Sequence, residues 1–538
     1  MNDSRRNFIK GMTAAVAVPM LSSLPGMSFA AAAASGPVIQ TPKGKVQGLI
    51  VNGVHVFRGV PCGKPPYEAA TRFQLPQFVE PWQGIVSCTK QASLPLQGGG
   101  VMAEGDEAQM GPDGKPLPGK NSRIMVEGGG DCLRLNIWTP DPGKSKCPVL
   151  VYIPGGGSMS CNNNEIDGTS FAKSGIVVVS IPYRVNVDGF MRIPGVPANL
   201  AIRDMLFAVR WVKENIAAFG GDPDRITVMG QSAGATHIGS MLASPLGEGL
   251  FEQAILMSGS HLAQWSPEQA DTSSKLLCKY WGIPYTKEAI MALPYDKMLN
   301  FRRLLVQVAT DPKWAKYTNG NTTLFKPYVD GEVLKKRAVD SVADGMGKKV
   351  SVMIGCTADE WRYVTVPSGE IDRLKEEDVK FILESIEASP KLADKYRKNG
   401  RGKTAGEIYT AIQSDIIFRI PTNRMLEARG KGGGKTWAYS FEWKSDAYNG
   451  KMGAAHWCDI PFVFDFLDDK VACDGYVGDN PPQALADKMH ATWVRFITTG
   501  DPGWQQYNLD ERKTMAINLE YKMKNDPWRA EREILKLK

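Results

Sequence analysis

Five predominantly apolar runs, Val149–Ile153, Ile176–Ile181, Ile226–Met229, Ala254–Met257 and Val350–Ile354, recur along the chain with helical patterns such as Asn199–Ala218 between them. A run without polar alternation needs apolar neighbours on both faces. Buried strands alternating with helices therefore predict a parallel sheet covered on both sides. Upstream, short β-like runs at Val38–Gln40, Lys45–Ile50 and Val54–Arg58 are broken by glycines and Pro42, which predicts an antiparallel meander at the sheet edge. Residues 98–130 carry two glycine triplets and read as a long surface excursion of the kind that forms lids. Two mostly helical, polar spans, about 265–345 and 365–430, are expected to be cap insertions. The fold class is thus α/β: a large, mostly parallel central sheet with helices on both faces, an N-terminal antiparallel meander and helical caps, in one domain over residues 35–538.

The run Ile226–Met229 leads into Gly230-Gln231-Ser232-Ala233-Gly234 and then a helix-compatible segment. A serine held in a strained turn between a strand and a helix is displayed to a reactant. Glycines two residues to either side keep that turn free of collisions. The helix N-terminus also directs its amides and positive dipole end at the reacting centre.

A serine hydroxyl is a poor nucleophile at neutral pH and needs a histidine base oriented by a carboxylate. Enzymes built on such a turn carry the serine first, then the acid, then the histidine. Of the five histidines, His55 precedes the serine, His237 follows it by five residues on its own helix, His261 ends an apparent strand, and His490 lies in the helical pattern Gln483–Thr498. His456 is left, in the turn-like Gly453–Trp457 after the strand-like Trp437–Trp443, and is the expected base. The acid should end a strand between the two. Asp359 and Glu360, just past Val350–Ile354, are both candidates, and chain order does not choose between them. Pro154-Gly155-Gly156-Gly157-Ser158 follows the strand Val149–Ile153, and consecutive glycines there let backbone amides converge on a developing oxyanion.

Ser4-Arg5-Arg6-Asn7-Phe8-Ile9-Lys10 and the Ala-rich stretch after it match a twin-arginine export leader over residues 1–34, with cleavage expected near residues 30–34. A bacterial periplasmic or secreted address follows. The net charge is +7, and the three cations and one anion of residues 1–30 leave +5 for the rest. That rest contains no basic run, so the chain has no nucleic-acid footprint. It also lacks an apolar run of about 18 residues, so no membrane span is expected. Nine cysteines include no Cys-x-x-Cys pair or Cys/His cluster, which excludes a zinc or iron–sulfur site.

With those residues in place, the sequence resembles the type-B carboxylesterase/cholinesterase-like family of α/β-hydrolases over roughly residues 38–520. The resemblance is carried by Phe57–Pro61, Pro65-Pro66, Arg72-Phe73, Asp131–Trp138, Pro182–Arg184, Trp211–Ile216, Phe219–Pro223, the serine turn, Ser258–Ser260, Trp493, Phe496 and Thr499–Pro502. It implies Glu360 as the acid, Ser232 as nucleophile and His456 as base, with the amides of Gly156, Gly157 and Ala233 as the oxyanion hole. It further implies hydrolysis of a small-molecule carboxylic ester through an acyl-enzyme, without metal or cofactor. An interfacial lipase or a non-catalytic cholinesterase-like binding protein are the alternatives. The chain departs from the family at Pro154, usually His or Tyr, at Ser158, usually aromatic, and at Trp457, usually glycine. Ser158 is expected to open or polarise the acyl wall and Trp457 to narrow the mouth, with Trp361 as a third substrate-binding candidate. The resemblance also implies a disulfide at Cys132, but its partner position is Pro95, which leaves nearby Cys88 as the substitute. No tryptophan precedes Asp131 where choline-binding members carry one.

Overall fold

The computed structural model describes residues 34–103, 122–143, 146–311, 323–469 and 475–535, together with 313, 314, 317 and 473. The expected leader lies outside them, apart from Ala34, which opens the first strand. The strands in chain order are β1 Ala34–Gln40, β2 Lys45–Val51, β3 Val54–Pro61, β4 Ile85–Ser87, β5 Gln97–Ala103, β6 Ser122–Glu127, β7 Arg134–Thr139, β8 Cys147–Ile153, β9 Val177–Ser180, β10 Gly221–Gln231, β11 Gln253–Met257, β12 Ser351–Thr357, β13 Thr436–Phe441, β14 Lys513–Ile517 and β15 Lys522–Asn525. Thirteen of them form one sheet in the order β1-β2-β3-β7-β9-β8-β10-β11-β12-β13-β14-β15, with β4 beside β2. Pairing is antiparallel from β1 through β9, parallel from β9 through β14, and antiparallel again at β15.

Every residue of β8 and β9 is buried, as their apolar runs predicted, and so is every residue of β13. Two large apolar clusters result. One includes Val149, Val151, Val228 and Leu256, and the other Leu150, Tyr152, Met229 and Ile255. Alternate residues of the same strands thus feed different clusters, as the two-residue period of a strand dictates. The spans 265–345 and 365–430 hold helices, among them Pro267–Trp281 and Ala405–Ser414. The second span has a smaller apolar cluster of its own around Val379, Ile412 and Ile420.

One expectation is corrected. The described ends of the 98–130 segment are not irregular, because β5 and β6 pair as a separate antiparallel ribbon. Residues 104–121 lie outside the described residues.

The sheet positions the site by bringing three carboxyl ends together. β8 ends at Ile153 beside Gly230 of β10, β10 runs on to Gln231 beside Met257 of β11, and β12 ends at Thr357. Residues 154–158, Ser232 and the turn 358–361 therefore emerge side by side on one edge, where ligands bind in open α/β sheets.

Candidate active site

Ser232 sits between β10 and the helix Ala233–Leu242 with φ 57° and ψ −123°, a conformation that side-chain-bearing residues seldom adopt. Its neighbours explain the two glycines. A Cβ at Gly230 would lie 2.7 Å from the Gly234 carbonyl carbon, and one at Gly234 would lie 2.1 Å from the Ile153 oxygen. The backbone holds the turn, with the Ser232 amide donating to Met257 O at 2.9 Å and the Thr236 amide to Ser232 O at 3.1 Å.

The acid turn and the histidine loop lock together through their backbones. The His456 amide donates to Glu360 O at 3.1 Å and the Asp359 amide to Ala454 O at 2.8 Å. The two carboxylates that chain order left open have different surroundings here. Asp359 Oδ2 accepts the Ala454 amide at 3.1 Å, and its other oxygen lies 3.7 Å from Arg362. Glu360 is fully buried, accepts the Thr357 amide at 2.8 Å, and its Oε2 takes a short hydrogen bond from His456 Nδ1. Glu360 thus faces the imidazole, and Asp359 fastens the loop that carries it. That bond places the proton of neutral His456 on Nδ1 and leaves Nε2 as the acceptor.

His456 is itself buried, with the rings of Tyr363 and Phe418 centred 4.8 and 4.5 Å from its own. Phe418 comes from Asp415–Arg419, a turn of π-helix between Ala405–Ser414 and Ile420–Gly432. Such turns often mark functional sites. Here Arg419 donates to Ala358 O, just before the acid turn, and Ile417 O accepts Ser260 Oγ at 2.7 Å.

The glycine loop after β8 turns through positive φ at Gly156 (111°), Gly157 (62°) and Ser158 (64°). It lies close over the serine: a Cβ at Gly155 would sit 3.1 Å from Ser232 Cβ. Tyr183 Oη donates to Pro154 O at 2.8 Å and reaches Gly155 O at 3.1 Å, while the Asn186 amide donates to Ser158 O at 2.9 Å. Among the described residues, the amides of Gly156, Gly157 and Ala233 donate to no protein acceptor. Glu165 is buried under this loop against Tyr152 Oη at 2.8 Å, and burial pushes its carboxyl up to about 7.

The other sequence candidates fall as follows. Ser158 is buried, with Oγ 3.4 Å from His237 Nε2. Trp361 is half-buried, beside Tyr363 and Phe418. Trp457 is 0 % exposed, packed on Tyr476 and Phe466, so it does not narrow a mouth with exposed surface. Its φ of 74° accompanies this inward packing. The remaining histidines stand apart from the acid turn: His55 in β3, His237 stacked on Phe190, His261 fully buried after β11, and His490 bonded to Ser174 and Val463 O. Sequence reading missed Gln231, Phe418 and the fastening role of Asp359. A glutamine just past the buried run Ile226–Met229 was the one available signal for the first. Among the described residues, no group of His, Cys, Asp and Glu could hold a metal ion, and no helix is long and apolar enough to cross a membrane.

Comparison with known proteins gives a consistent result. The model of the family described as "Carboxylesterase family" matches residues 35–534. The chain is 29 % identical to a para-nitrobenzyl esterase of Bacillus subtilis, over 93 % of this chain and 98 % of that protein. It is 28 % identical to a phenmedipham hydrolase of Pseudarthrobacter oxydans, over 90 % and 95 %. Among solved structures, the Geobacillus stearothermophilus carboxylesterase EST55 superimposes with a TM-score of 0.77 at 30 % identity, covering 92 % of this chain and 99 % of that one.

Proposed function

The chain belongs to the carboxylesterase family, and from that premise we propose that Ser232, Glu360 and His456 form its catalytic triad. The protein is a serine carboxylic-ester hydrolase of the α/β-hydrolase fold. In the proposed mechanism Ser232 Oγ attacks the ester carbonyl as its proton passes to His456 Nε2, and the carbonyl π electrons move onto oxygen. The amides of Gly156, Gly157 and Ala233 receive that oxyanion. On collapse the C–O bond to the alcohol breaks and His456 protonates the leaving oxygen. Water, deprotonated by the same nitrogen, then releases the acid and restores Ser232. Glu360 holds the ring and balances its charge while the proton is on it. The bond from His456 Nδ1 to the buried Glu360 is the observation that carries this reading.

On 4-nitrophenyl esters, Ser232→Ala is expected to lose at least about 10³-fold in kcat while folding normally. Wild-type turnover by that variant, or a folded wild type inert to a fluorophosphonate probe, would overturn the assignment.

For substrate, we infer a polar or bulky acyl group, as on a secondary-metabolite or xenobiotic ester. The small Ser158 stands where an aromatic is usual, and the relatives include a hydrolase named for phenmedipham. An acyl series on one leaving group tests this. Ser158→Phe should penalise large acyl groups over acetyl by about 1–3 kcal/mol in kcat/KM. Equal effects on every acyl group would show that position 158 does not line the pocket. We also infer twin-arginine export to the periplasm or beyond from Ser4–Lys10. Arg5→Lys with Arg6→Lys should retain the enzyme in the cytoplasm, and undisturbed export would exclude that route.

A further inference from the structure

Resting on the triad reading, we propose that Gln231 is a positioning residue for His456, its side-chain amide occupying Nε2 until substrate brings Ser232 into line. Gln231 Nε2 lies 3.0 Å from His456 Nε2. Glu360 already holds the Nδ1 proton, so Nε2 carries a lone pair, and the amide must be the donor. Among the described residues no hydrogen bond joins Ser232 Oγ to His456, so in the resting enzyme the acceptor nitrogen serves the residue before the nucleophile rather than the nucleophile itself.

The placement is built into the fold. Gln231 is 2 % exposed, ends β10 and is held by its register with Met257. Its amide oxygen points toward the glycine loop, where a Cβ on Gly155 would lie 3.3 Å from Oε1. The side chain therefore spans from the oxyanion loop to the base, and Gly155 leaves the room it needs. An amide also suits a base that changes protonation state. Its N–H pairs with neutral imidazole, and a half-turn of the amide presents its carbonyl to the protonated ring. The charged and titratable groups around the ring and its acid are Glu360 and Asp359 on the acid turn, Tyr363 and Arg362 after it, Arg419 and Asp415 on the π-turn, Cys458 and Asp459 past the histidine, and Cys356 and Tyr439 on β12 and β13. From the β10 side, the contact on Nε2 is the neutral Gln231.

The test is the pH dependence of kcat/KM on a 4-nitrophenyl ester for wild type, Gln231→Glu and Gln231→Met, each checked for folding by thermal melting. A carboxylate 3 Å from the imidazole favours its protonated form. Gln231→Glu should therefore shift the acid limb upward by about 1 pH unit, with a much smaller change on the alkaline plateau. Gln231→Met removes the bond that favours neutral imidazole and should shift the limb the same way, by less. In ¹⁵N-histidine spectra at neutral pH, the wild-type Nε2 signal should show an accepted hydrogen bond that the Met variant loses. Folded variants whose limbs and imidazole signals coincide with wild type would overturn the proposal. Loss of activity in Ser232→Ala alongside those unchanged profiles would leave the triad standing and this inference alone rejected.

Discussion

At the scale of single residues, titratable groups in the interior set how the protein responds to pH. His237 and His261 are fully buried, and burial lowers both to about 3. Each folded-state value lies below the unfolded one, so both rings stay neutral in the fold while the unfolded chain takes up protons. Their contribution to stability is whole above about 6.5 and is lost as pH falls toward 3, by about 1.4 kcal/mol per pH unit per ring. Three buried carboxyls act oppositely: Glu165 and Asp459 are raised to about 7 and Glu370 to about 8, chiefly by burial. Their contribution is whole below the unfolded carboxyl range and is lost as pH rises through 7–8. His261→Gln should therefore remove about one proton from the uptake on unfolding at pH 5, measured by the pH dependence of denaturant midpoints. An unchanged uptake would mean that His261 is charged in the fold. At this scale the sequence was legible where chemistry forces a choice. Five histidines and a fixed chain order left His456, whereas Gln231 escaped notice because its role exists only once β10 and the histidine loop converge.

Elements were legible in proportion to how continuous their burial is. The apolar runs of β8 to β12 announced a parallel sheet, since a strand covered on both faces leaves no polar alternation to misread. The π-turn Asp415–Arg419 was not legible. It depends on the Arg419–Asp415 pair and on contacts with Ala358 and Ser260, from distant parts of the chain. The serine turn lies between these cases: its glycines marked it, and the structure adds what they touch. A methyl group at Gly234 would meet Ile153 O at 2.1 Å and Pro154 O at 2.8 Å, both backbone atoms that cannot step aside alone. Gly234→Ala should therefore push β8 and the oxyanion loop away from Ser232. About 2 kcal/mol or more of stability should go with it, along with a fall in kcat larger than any rise in KM. Parallel melting and steady-state kinetics decide this. A variant with wild-type melting and kcat would mean that the strand–helix contact is looser than described.

The molecule as a whole holds together without covalent cross-links. All nine cysteines are buried and none is in a disulfide, so Cys88 does not substitute as a partner for Cys132. Cys62 Sγ donates to Leu133 O at 2.9 Å, Cys88 Sγ lies 3.9 Å from Gly59 O, and burial raises the Cys132 thiol well above its ordinary range. The odd count guaranteed one free thiol, but whether the others meet depends on how β3, β7 and the β8 loop pack, which spacing does not encode. A sheet of thirteen strands buried between two apolar clusters has a core large enough to need no such staple. Burial raises the thiols of Cys62, Cys88, Cys132, Cys161, Cys278, Cys356 and Cys458 and puts all nine out of reach of reagents. The native protein should leave a thiol reagent such as DTNB unconsumed and release nine equivalents on unfolding in guanidinium. Its Tm should be the same with and without dithiothreitol. A disulfide contributes about 2–4 kcal/mol. A fall of several degrees under reductant, with seven or fewer thiols titrating in guanidinium beforehand, would show that a disulfide is present after all.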